Sequence, residues 1–355
     1  MRLVYVKALK EGMRLGKTIY DPNRTDLLKQ GVILTPRLIQ AISRLQIDSV
    51  YIDDDLSKDI ELPPVVGERI RNKAVKDVKD FFSSNGHSDD IAKRRRFVEG
   101  MGNVVEDILS EALSDEDFAV QLHDFKSFDD PLYNHAVNVC ILAIVIGAEL
   151  NLPKRDLVHL SKGAILHDFG KMFIDQELLY KPKRLTELEM IVIRDYVKKG
   201  HDFIRQAISP SVEVLMCILQ HQEKIDGSGY PNRKREGEIS PLAQIVAIAD
   251  VFDALTSKRS YRPAYSPSEA TEYIMGNVGV QFSLPVVNAF LKRVTVYPVG
   301  AHVKLNTGQI AIVTETRKGF VLRPKCKVVS EKGEGIIIDL LEKINAHITI
   351  EKLYA

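Results

Sequence analysis

The sequence predicts a mainly α protein, with a central helical bundle, a small N-terminal α/β domain and a small C-terminal β-rich domain. Apolar residues recur at helical spacing through most of residues 101–295. Short strand-like runs separated by turn residues occupy both ends of the chain. The 355 residues allow two or three domains, and their 45% hydrophobic content excludes intrinsic disorder for the bulk of the chain.

The predicted α/β domain covers residues 1–60. Residues 3–6 and 49–52 have the apolar, β-branched composition of strands, and residues 27–34 predict a pair of strands around a glycine. Between them, Thr35-Pro36 forms a helix cap and a first-turn proline, followed by apolar residues at helical spacing.

Residues 61–100 are charged and include four consecutive basic residues at 93–96, so they predict a solvated helical linker. The helical bundle follows over residues 101–295. One segment, residues 133–150, is apolar nearly all round and is therefore expected to be the central buried helix. The other predicted helices cover residues 154–167, 187–199, 210–221, 241–256 and 268–278.

Residues 296–355 form the predicted β-rich domain. Two strand patterns, residues 303–305 and 310–313, flank the turn residues 306–308 and predict a hairpin. Further glycines and a proline separate additional short strands.

Composition also limits the location and partners of the chain. Its three cysteines, Cys140, Cys217 and Cys326, are far apart in apolar runs, as expected for reduced core residues in a cytoplasmic protein. No apolar run reaches the length of a membrane span, and the N-terminus lacks the apolar core of a signal peptide. The net charge of +1 gives no electrostatic reason to expect a membrane or nucleic-acid partner.

A metal site is predicted first from a His-Asp pair. His167-Asp168 ends an apolar helix and is followed by Phe169-Gly170-Lys171. A helix end that supplies an imidazole, a carboxylate and then a lysine is suited to hold a metal and a phosphate together. The pairs at 123–124 and 201–202 lack this context.

Other candidate ligands lie on the neighbouring predicted helices. His135 begins the most apolar helix, His221 closes another, and Asp250 is an acid within an apolar run. A buried aspartate requires a cation, a metal or hydrogen-bond donors. Each residue alone is more typical of a structural role, but together with the His-Asp pair they predict a nitrogen and oxygen site for Mn, Fe or Zn.

Two further features suit an anionic substrate. The segment 226–231 (DGSGYP) contains two glycines that permit close backbone approach, although an ordinary surface loop has a similar composition. Arg259 and Arg262 follow Asp250 by about two helical turns, and paired arginines near a metal would suit a phosphate.

These residues, in this order, resemble the HD-GYP family, a branch of the HD superfamily of metal-dependent phosphohydrolases. The resemblance covers roughly residues 130–295. It rests on the segments 135–139 (HAVNV), 166–171 (LHDFGK), 181–186 (KPKRLT), 226–231 (DGSGYP) and 250–262 (DVFDALTSKRSYR).

The resemblance implies an all-helical HD-type domain that hydrolyses cyclic di-GMP to pGpG or GMP with Fe or Mn ions, through a metal-activated hydroxide. The implied ligands of the first metal are His135, His167, Asp168 and Asp250, with Asp168 bridging to a second metal at His221. Asp168, Lys171 and Glu223 are the implied catalytic residues, Glu223 by positioning water. The implied substrate contacts are Lys171, Gly229, Tyr230, Arg259 and Arg262.

The chain departs from the family pattern at three positions. Tyr196 stands where the family has a histidine, and Gln222 replaces the second histidine of a His-His-Glu triplet. Pro131 stands where some members have an acid for a third metal. We therefore expect one metal to be bound firmly, whereas the second is in doubt.

Three hypotheses follow. The favoured one is an active phosphodiesterase. The second is a weak or inactive HD-GYP domain that binds cyclic di-GMP or another nucleotide as a sensor. The third is a protein-interaction module, in which the flanking domains contact a second copy or another protein.

Overall fold

The structure is a computed structural model. It describes residues 1–20, 26–44, 49–57, 60, 68–85, 91–113, 120–121, 131–181, 183–208, 210–257, 264–317, 319–329 and 335–354. The protein is mainly α, as predicted, and small sheets lie in its N-terminal and C-terminal regions.

The N-terminal sheet confirms two predicted strands. Its three antiparallel strands lie in the order β1 (Arg2–Tyr5), β5 (Ser49–Asp53) and β2 (Arg14–Leu15). Helix α1 (Pro36–Arg44) follows the Thr35 cap, whose hydroxyl accepts a hydrogen bond from the Leu38 amide. Leu34 and Ile42 are completely buried under this sheet, because the apolar side of α1 faces it. Two further strands in this region are β3 (Ile19–Tyr20) and β4 (Asp26–Leu28).

The predicted strand pair over residues 27–34 is wrong. Only the start of this segment is a strand, β4, and it pairs with the preceding β3. Gly31 then adopts a positive φ of 87°, which an extended strand does not allow. The following residues are held by single contacts to β2, such as the bond from the Leu15 amide to the Val32 carbonyl.

The predicted linker is helical but is not simply solvated. Helices α2 (Glu68–Asn85) and α3 (Ile91–Ala112) pack against each other, and α2 also contacts the central helix of the bundle. Val75, Val78 and Phe82 of α2 are buried in the main core, because their helical spacing places them on one face despite the many charges around them. The side chains of residues 93–96 lie outside the described residues.

The central buried helix is confirmed as α4 (Pro131–Glu149). Residues 132–149 are long and apolar enough to cross a membrane, but 78% of that stretch is buried against other parts of the protein, as in the core helix of a globular bundle. The remaining helices are α5 Lys154–Leu166, α6 Gln176–Leu179, α7 Glu187–Arg194, α8 Tyr196–Ile208, α9 Val212–Gln220, α10 Pro241–Thr256, α11 Pro267–Gly276 and α12 Leu284–Arg293.

The single helix predicted over residues 187–199 is wrong, because the structure has two helices that meet at Asp195. Thr186 caps α7 with a reciprocal hydrogen bond to Glu189, and Asp195 ends it. The carbonyl of Asp195 then accepts the first hydrogen bonds of α8. This change of direction buries Tyr196, which is only 2% exposed, against the turn that follows α5.

Gly170 makes this contact possible. It lies in a 3₁₀ turn, Phe169–Phe173, and a Cβ atom at Gly170 would lie 1.9 Å from the Tyr196 carbonyl oxygen. A Cβ at Gly200 would likewise lie 3.0 Å from the Gly170 nitrogen. The two backbones therefore pack directly on each other, which brings Tyr196 beside the His-Asp pair.

The C-terminal region confirms the predicted hairpin. Strands β8 and β9 pair around Gly308 within a five-stranded antiparallel sheet of order β11-β10-β9-β8-β12. The bounds are β8 His302–Leu305, β9 Ile310–Glu315, β10 Lys325–Val328, β11 Ile337–Asp339 and β12 Ile350–Leu353. The short strands β6 (Val120–Gln121) and β7 (Val294–Thr295) pair in parallel beside the bundle.

The two terminal regions contact each other. The Leu3 amide donates to the Gly300 carbonyl at 2.8 Å, and Ile60 packs with Val299 and Ile312 in a small apolar cluster. The two sheets have separate strand pairings, but they pack against each other, a contact that the sequence did not predict.

Candidate metal centre

The ends of three helices and the interior of a fourth bring the predicted ligands together. His135 comes from the first turn of α4, His167 and Asp168 follow α5, His221 follows α9, and Asp250 lies within α10. Each of these side chains is at least nine-tenths buried. The burial follows from the apolar runs in which the sequence places them.

The ligand atoms face one another across short distances. His135 Nε2 lies 3.2 Å from Asp250 Oδ1 and 3.4 Å from Asp168 Oδ2. His167 Nε2 lies 3.6 Å from Asp168 Oδ2. Two groups of three residues each place their ligand atoms within 4.8 Å of one another. The groups are His135-His167-Asp250 and His167-Asp168-His221.

Hydrogen bonds at the other ring nitrogen orient each imidazole. His167 Nδ1 lies 2.7 Å from the Ala164 carbonyl, and His221 Nδ1 lies 2.9 Å from the Ile218 carbonyl. A carbonyl only accepts, so both Nδ1 atoms carry the proton when the rings are neutral. The Nε2 lone pairs then face the cluster, as a metal ligand requires.

Within the part of the chain that the structure describes, three buried atoms of the cluster have no hydrogen-bond partner. They are His135 Nε2, His167 Nε2 and Asp168 Oδ1. Buried polar atoms are normally paired, because leaving one unpaired costs about 1–3 kcal/mol. Three such atoms converging on one space fit a bound cation, and imidazole with carboxylate ligands suits Mn, Fe or Zn.

The protonation states also favour a cation. Burial opposes ionisation of Asp168, but Lys171 and the neighbouring histidines outweigh it and hold its pKa well below the ordinary range. The pKa of Asp250 is lowered in the same way by His135 and His167. Burial lowers the pKa of His221 to about 4. These three residues are therefore carboxylates and a neutral imidazole at neutral pH, the forms that bind metal.

Asp253 is a site residue that the sequence analysis missed. Its Oδ2 lies 2.6 Å from His135 Nδ1, and its Oδ1 accepts a hydrogen bond from Asn138 Nδ2 at 2.8 Å. The spacing of Asp253 could have revealed it. Asp253 follows Asp250 by about one helical turn and is buried in the same apolar helix, so both carboxylates lie on one face of α10.

Tyr196 and Gln222, at two of the three altered positions, contact the remaining ligands. The Tyr196 hydroxyl lies 2.8 Å from His221 Nε2, and Gln222 Nε2 donates to Asp250 Oδ2 at 2.7 Å. His221, predicted for a second metal, is thus engaged by Tyr196. His201 instead lies 2.9 Å from the exposed Asp202, which leaves it outside the cluster.

The structure describes some of the residues predicted to contact substrate, but not all of them. Lys171 pairs with Asp168 and is partly exposed, and its ammonium lies 5.1 Å from the centre of the Tyr196 ring. Tyr230 packs near Tyr196, with the Arg194 guanidinium 5.2 Å from its ring centre. Arg259 and Arg262 lie outside the described residues.

Gly229 is constrained by its own backbone surroundings. A Cβ at this position would lie 2.3 Å from the Lys224 nitrogen and 2.5 Å from the Glu223 Cα. The loop must therefore pass this point without a side chain. Whether Gly229 also contacts substrate stays a prediction.

The contacts of Glu223 differ from the predicted water-positioning role. Its Oε1 accepts from the Asn232 amide at 2.7 Å, and its Oε2 accepts from the Lys234 amide at 3.0 Å. The side chain is 4% exposed, so both oxygens are committed to the loop. These contacts show that Glu223 holds the loop, and each oxygen keeps a further lone pair. Whether Glu223 also positions water stays a prediction.

Comparison with known proteins agrees with this geometry. Residues 108–282 match the HD domain family. The chain is 34% identical over 226 residues to the cyclic di-GMP phosphodiesterase PA4108 of Pseudomonas aeruginosa, covering 64% of this chain and 54% of that protein.

Two shorter matches extend the comparison. The cyclic di-GMP phosphodiesterase response regulator RpfG of Xanthomonas campestris is 37% identical over 153 residues, 42% of this chain and 40% of that protein. The 3'3'-cGAMP-specific phosphodiesterase 2 of Vibrio cholerae is 37% identical over 129 residues, 36% of this chain and 25% of that protein. The chain thus spans about half or less of the length of these relatives. Residues 108–282 match an HD domain, and together with the His167-Asp168 pair and the Gly229-Tyr230-Pro231 loop the matches support the resemblance to the HD-GYP family.

Proposed function

We propose that this protein is a metal-dependent phosphodiesterase that hydrolyses cyclic di-GMP to pGpG or GMP. The observation that carries the proposal is the convergence of three unpaired buried atoms, His135 Nε2, His167 Nε2 and Asp168 Oδ1. Leaving these atoms unpaired costs free energy, and a bound cation would remove that cost. The names of the relatives supply the substrate class.

His135, His167, Asp168 and Asp250 would hold the metal, which we propose is Fe or Mn. When bound, a divalent cation of this kind supplies Lewis-acid activation of water and of a phosphoryl oxygen. One such site is enough for that chemistry. A second metal at His221 is the weaker part of the proposal, because the Tyr196 hydroxyl already contacts His221 Nε2.

The protein's own residues supply charge and orientation around this site. Lys171 is partly exposed beside Asp168, so its ammonium can contact an anionic phosphate at the edge of the cluster. Tyr230 offers an aromatic face near Tyr196, which suits stacking on a purine base. Glu223 holds the loop that carries Tyr230, because it accepts from the Asn232 and Lys234 amides.

Water exclusion follows from the burial of the ligands. Phe169 and most residues of α4 belong to the main apolar core, and Asp168 and Asp250 are buried, so the carboxylates lie in a low-dielectric environment. Charges in such surroundings interact more strongly than in water. A phosphate that approaches from the Lys171 side would meet this field directly.

The proposed location is the cytoplasm. All three cysteines are free and buried, and burial raises the pKa of the Cys140 and Cys326 thiols to about 12. Unpaired, unreactive thiols are typical of proteins from a reducing compartment.

The test is an anaerobic assay of the full chain loaded separately with Fe(II) and Mn(II). Cyclic di-GMP and 3'3'-cGAMP are incubated in parallel, and the products are separated by chromatography. We expect pGpG or GMP from cyclic di-GMP, with no product from Asp168→Ala. An Asp202→Ala variant is the matched control, because Asp202 belongs to an exposed His-Asp pair outside the cluster.

Two outcomes would overturn the proposal. Intact cyclic di-GMP that still binds saturably would identify a nucleotide sensor. Cleavage of 3'3'-cGAMP alone would keep the reaction class but refute the proposed substrate.

A further inference from the structure

A buried path of hydrogen bonds leads from helix α2 to the metal centre. Arg71 donates from one terminal nitrogen to Asn138 Oδ1 at 3.1 Å, and Asn138 Nδ2 donates to Asp253 Oδ1 at 2.8 Å. Asp253 Oδ2 then lies 2.6 Å from His135 Nδ1. All four side chains are buried, and Arg71 is only 4% exposed.

The chemistry of these groups gives the path a single direction. A guanidinium can only donate, so Asn138 must turn its oxygen towards Arg71 and its NH₂ group towards Asp253. The carboxylate of Asp253 can only accept, so His135 Nδ1 must carry a proton. His135 Nε2 is then left to face Asp168 and Asp250, 3.4 and 3.2 Å away.

Arg71 therefore holds the amide from the side opposite Asp253. The carboxylate of Asp253 already requires the NH₂ group of Asn138 to face it, and the guanidinium fixes the other end of the amide. Without the guanidinium, the Asn138 oxygen loses its partner on α2, and the side chain is free to shift away from Asp253. The contact that holds Asp253 against His135 would then be weakened.

The position of Arg71 in the chain makes this contribution unexpected. It precedes the HD domain match of residues 108–282 and lies in the segment that composition predicts to be a solvated linker. Burying a guanidinium is costly unless it forms strong polar contacts. Its place here indicates that α2 supplies part of the support for the metal centre.

We propose that Arg71 is a positioning residue that orients the metal ligand His135 through Asn138 and Asp253. The proposal concerns binding of the cation, so it can fail or hold independently of the phosphodiesterase activity. Groups that support metal ligands from behind typically change metal affinity 10- to 100-fold when they are removed.

The experiment is a calorimetric titration of the metal-free full chain with Mn²⁺ alone, with folding checked by circular dichroism. Arg71→Met removes the donor but keeps an unbranched side chain, whereas Arg71→Lys keeps a cationic donor. Lys73→Met is the matched control, because Lys73 lies on the same helix and forms an exposed ion pair with Asp107 at 2.6 Å.

We expect Arg71→Met to weaken Mn²⁺ binding at least about 10-fold. We expect Arg71→Lys to restore most of the affinity and Lys73→Met to bind like the wild type. Asn138→Asp provides an independent test, since it keeps a partner for Arg71 but replaces the donor that faces Asp253. It should weaken Mn²⁺ binding by a similar factor.

The proposal also predicts that substitutions at Arg71 and Asn138 do not have additive effects on Mn²⁺ affinity. Arg71→Met should cause no further loss of Mn²⁺ affinity when it is added to Asn138→Ala, because the path is already broken and the alanine leaves no new charge unpaired. Wild-type affinity in Arg71→Met, or a full additional loss in the double variant, would overturn the proposal. Should Arg71→Met not fold, unchanged affinity in Asn138→Asp would overturn it equally.

Discussion

The Tyr196 hydroxyl lies 2.8 Å from Nε2 of His221, and the opposite nitrogen of that ring lies 2.9 Å from the Ile218 carbonyl. The carbonyl requires a proton on Nδ1, so a neutral His221 accepts from Tyr196 at Nε2. A tyrosine in this position therefore uses the lone pair that a second metal would need. The tyrosine at position 196, where the family has a histidine, thus opposes binding of a second metal at His221.

Restoring two histidines should recover a second metal. In Tyr196→His with Gln222→His, His221 Nε2 loses its phenol partner and two further imidazoles are added. We expect bound Fe or Mn, measured by elemental analysis after anaerobic loading, to rise from about one to about two ions per chain. No gain in bound metal would show that these positions are not ligand positions in this fold.

Removing the shared carboxylate should abolish the metal centre. Asp168 belongs to the groups that contact His135 and His167, and its Oδ1 is one of the unpaired buried atoms. We expect Asp168→Ala to lose Mn²⁺ binding in a calorimetric titration and all turnover of cyclic di-GMP. Unchanged turnover in this variant would contradict the proposed mechanism, and Asp202→Ala serves as its control.

Glu223→Gln separates a loop-holding role from a catalytic one. The substitution keeps one acceptor oxygen for the Asn232 and Lys234 amides and replaces the other with a donor, so the loop is weakened by about 1–3 kcal/mol. We expect a lower melting temperature, unchanged Mn²⁺ affinity, and a loss of activity that appears mainly in KM. A large fall in kcat with unchanged KM would instead support the water-positioning role expected from the sequence.

Gly170→Ala tests the backbone contact that places Tyr196 in the site. The added Cβ would lie 1.9 Å from the Tyr196 carbonyl oxygen, so the turn and helix α8 must separate. We expect a loss of about 2–3 kcal/mol in the free energy of unfolding, measured with urea. Gly237→Ala is the control, because a Cβ there has no heavy atom within 4 Å.

The contact between the terminal regions should depend on pH. Burial and the neighbouring Arg2 lower the pKa of His302 to about 4, and Arg2 donates to its Nε2 at 3.0 Å. Between pH 6.5 and 4 the unfolded chain binds this proton first, so stability falls as the pH falls, by about 3 kcal/mol at most. Above pH 6.5 this contribution is fully present.

His302→Gln keeps an acceptor for Arg2 but does not titrate. We expect its free energy of unfolding to match that of the wild type at pH 7 and to exceed it at pH 4.5, in urea titrations at both values. Parallel losses in the two proteins would assign the acid sensitivity to other groups.

The sequence by itself determined the helical class, the bundle and the residues that converge on the candidate metal centre. Apolar periodicity places α4 and α10 inside, and an aspartate within such a helix must meet a cation or donors. The hairpin around Gly308 followed from local turn chemistry. These features depend on residues near one another in the chain, which is why the pattern alone is sufficient.

Tertiary structure decided the partners of those residues. The charged composition of residues 61–100 hides the buried face of α2, and only packing brings Arg71 to Asn138, 67 residues further on. The commitment of Glu223 to the loop and the bond between Tyr196 and His221 are likewise contacts between distant segments. A hydrogen bond depends on the distance and direction between two atoms, and those are fixed only when the helices pack.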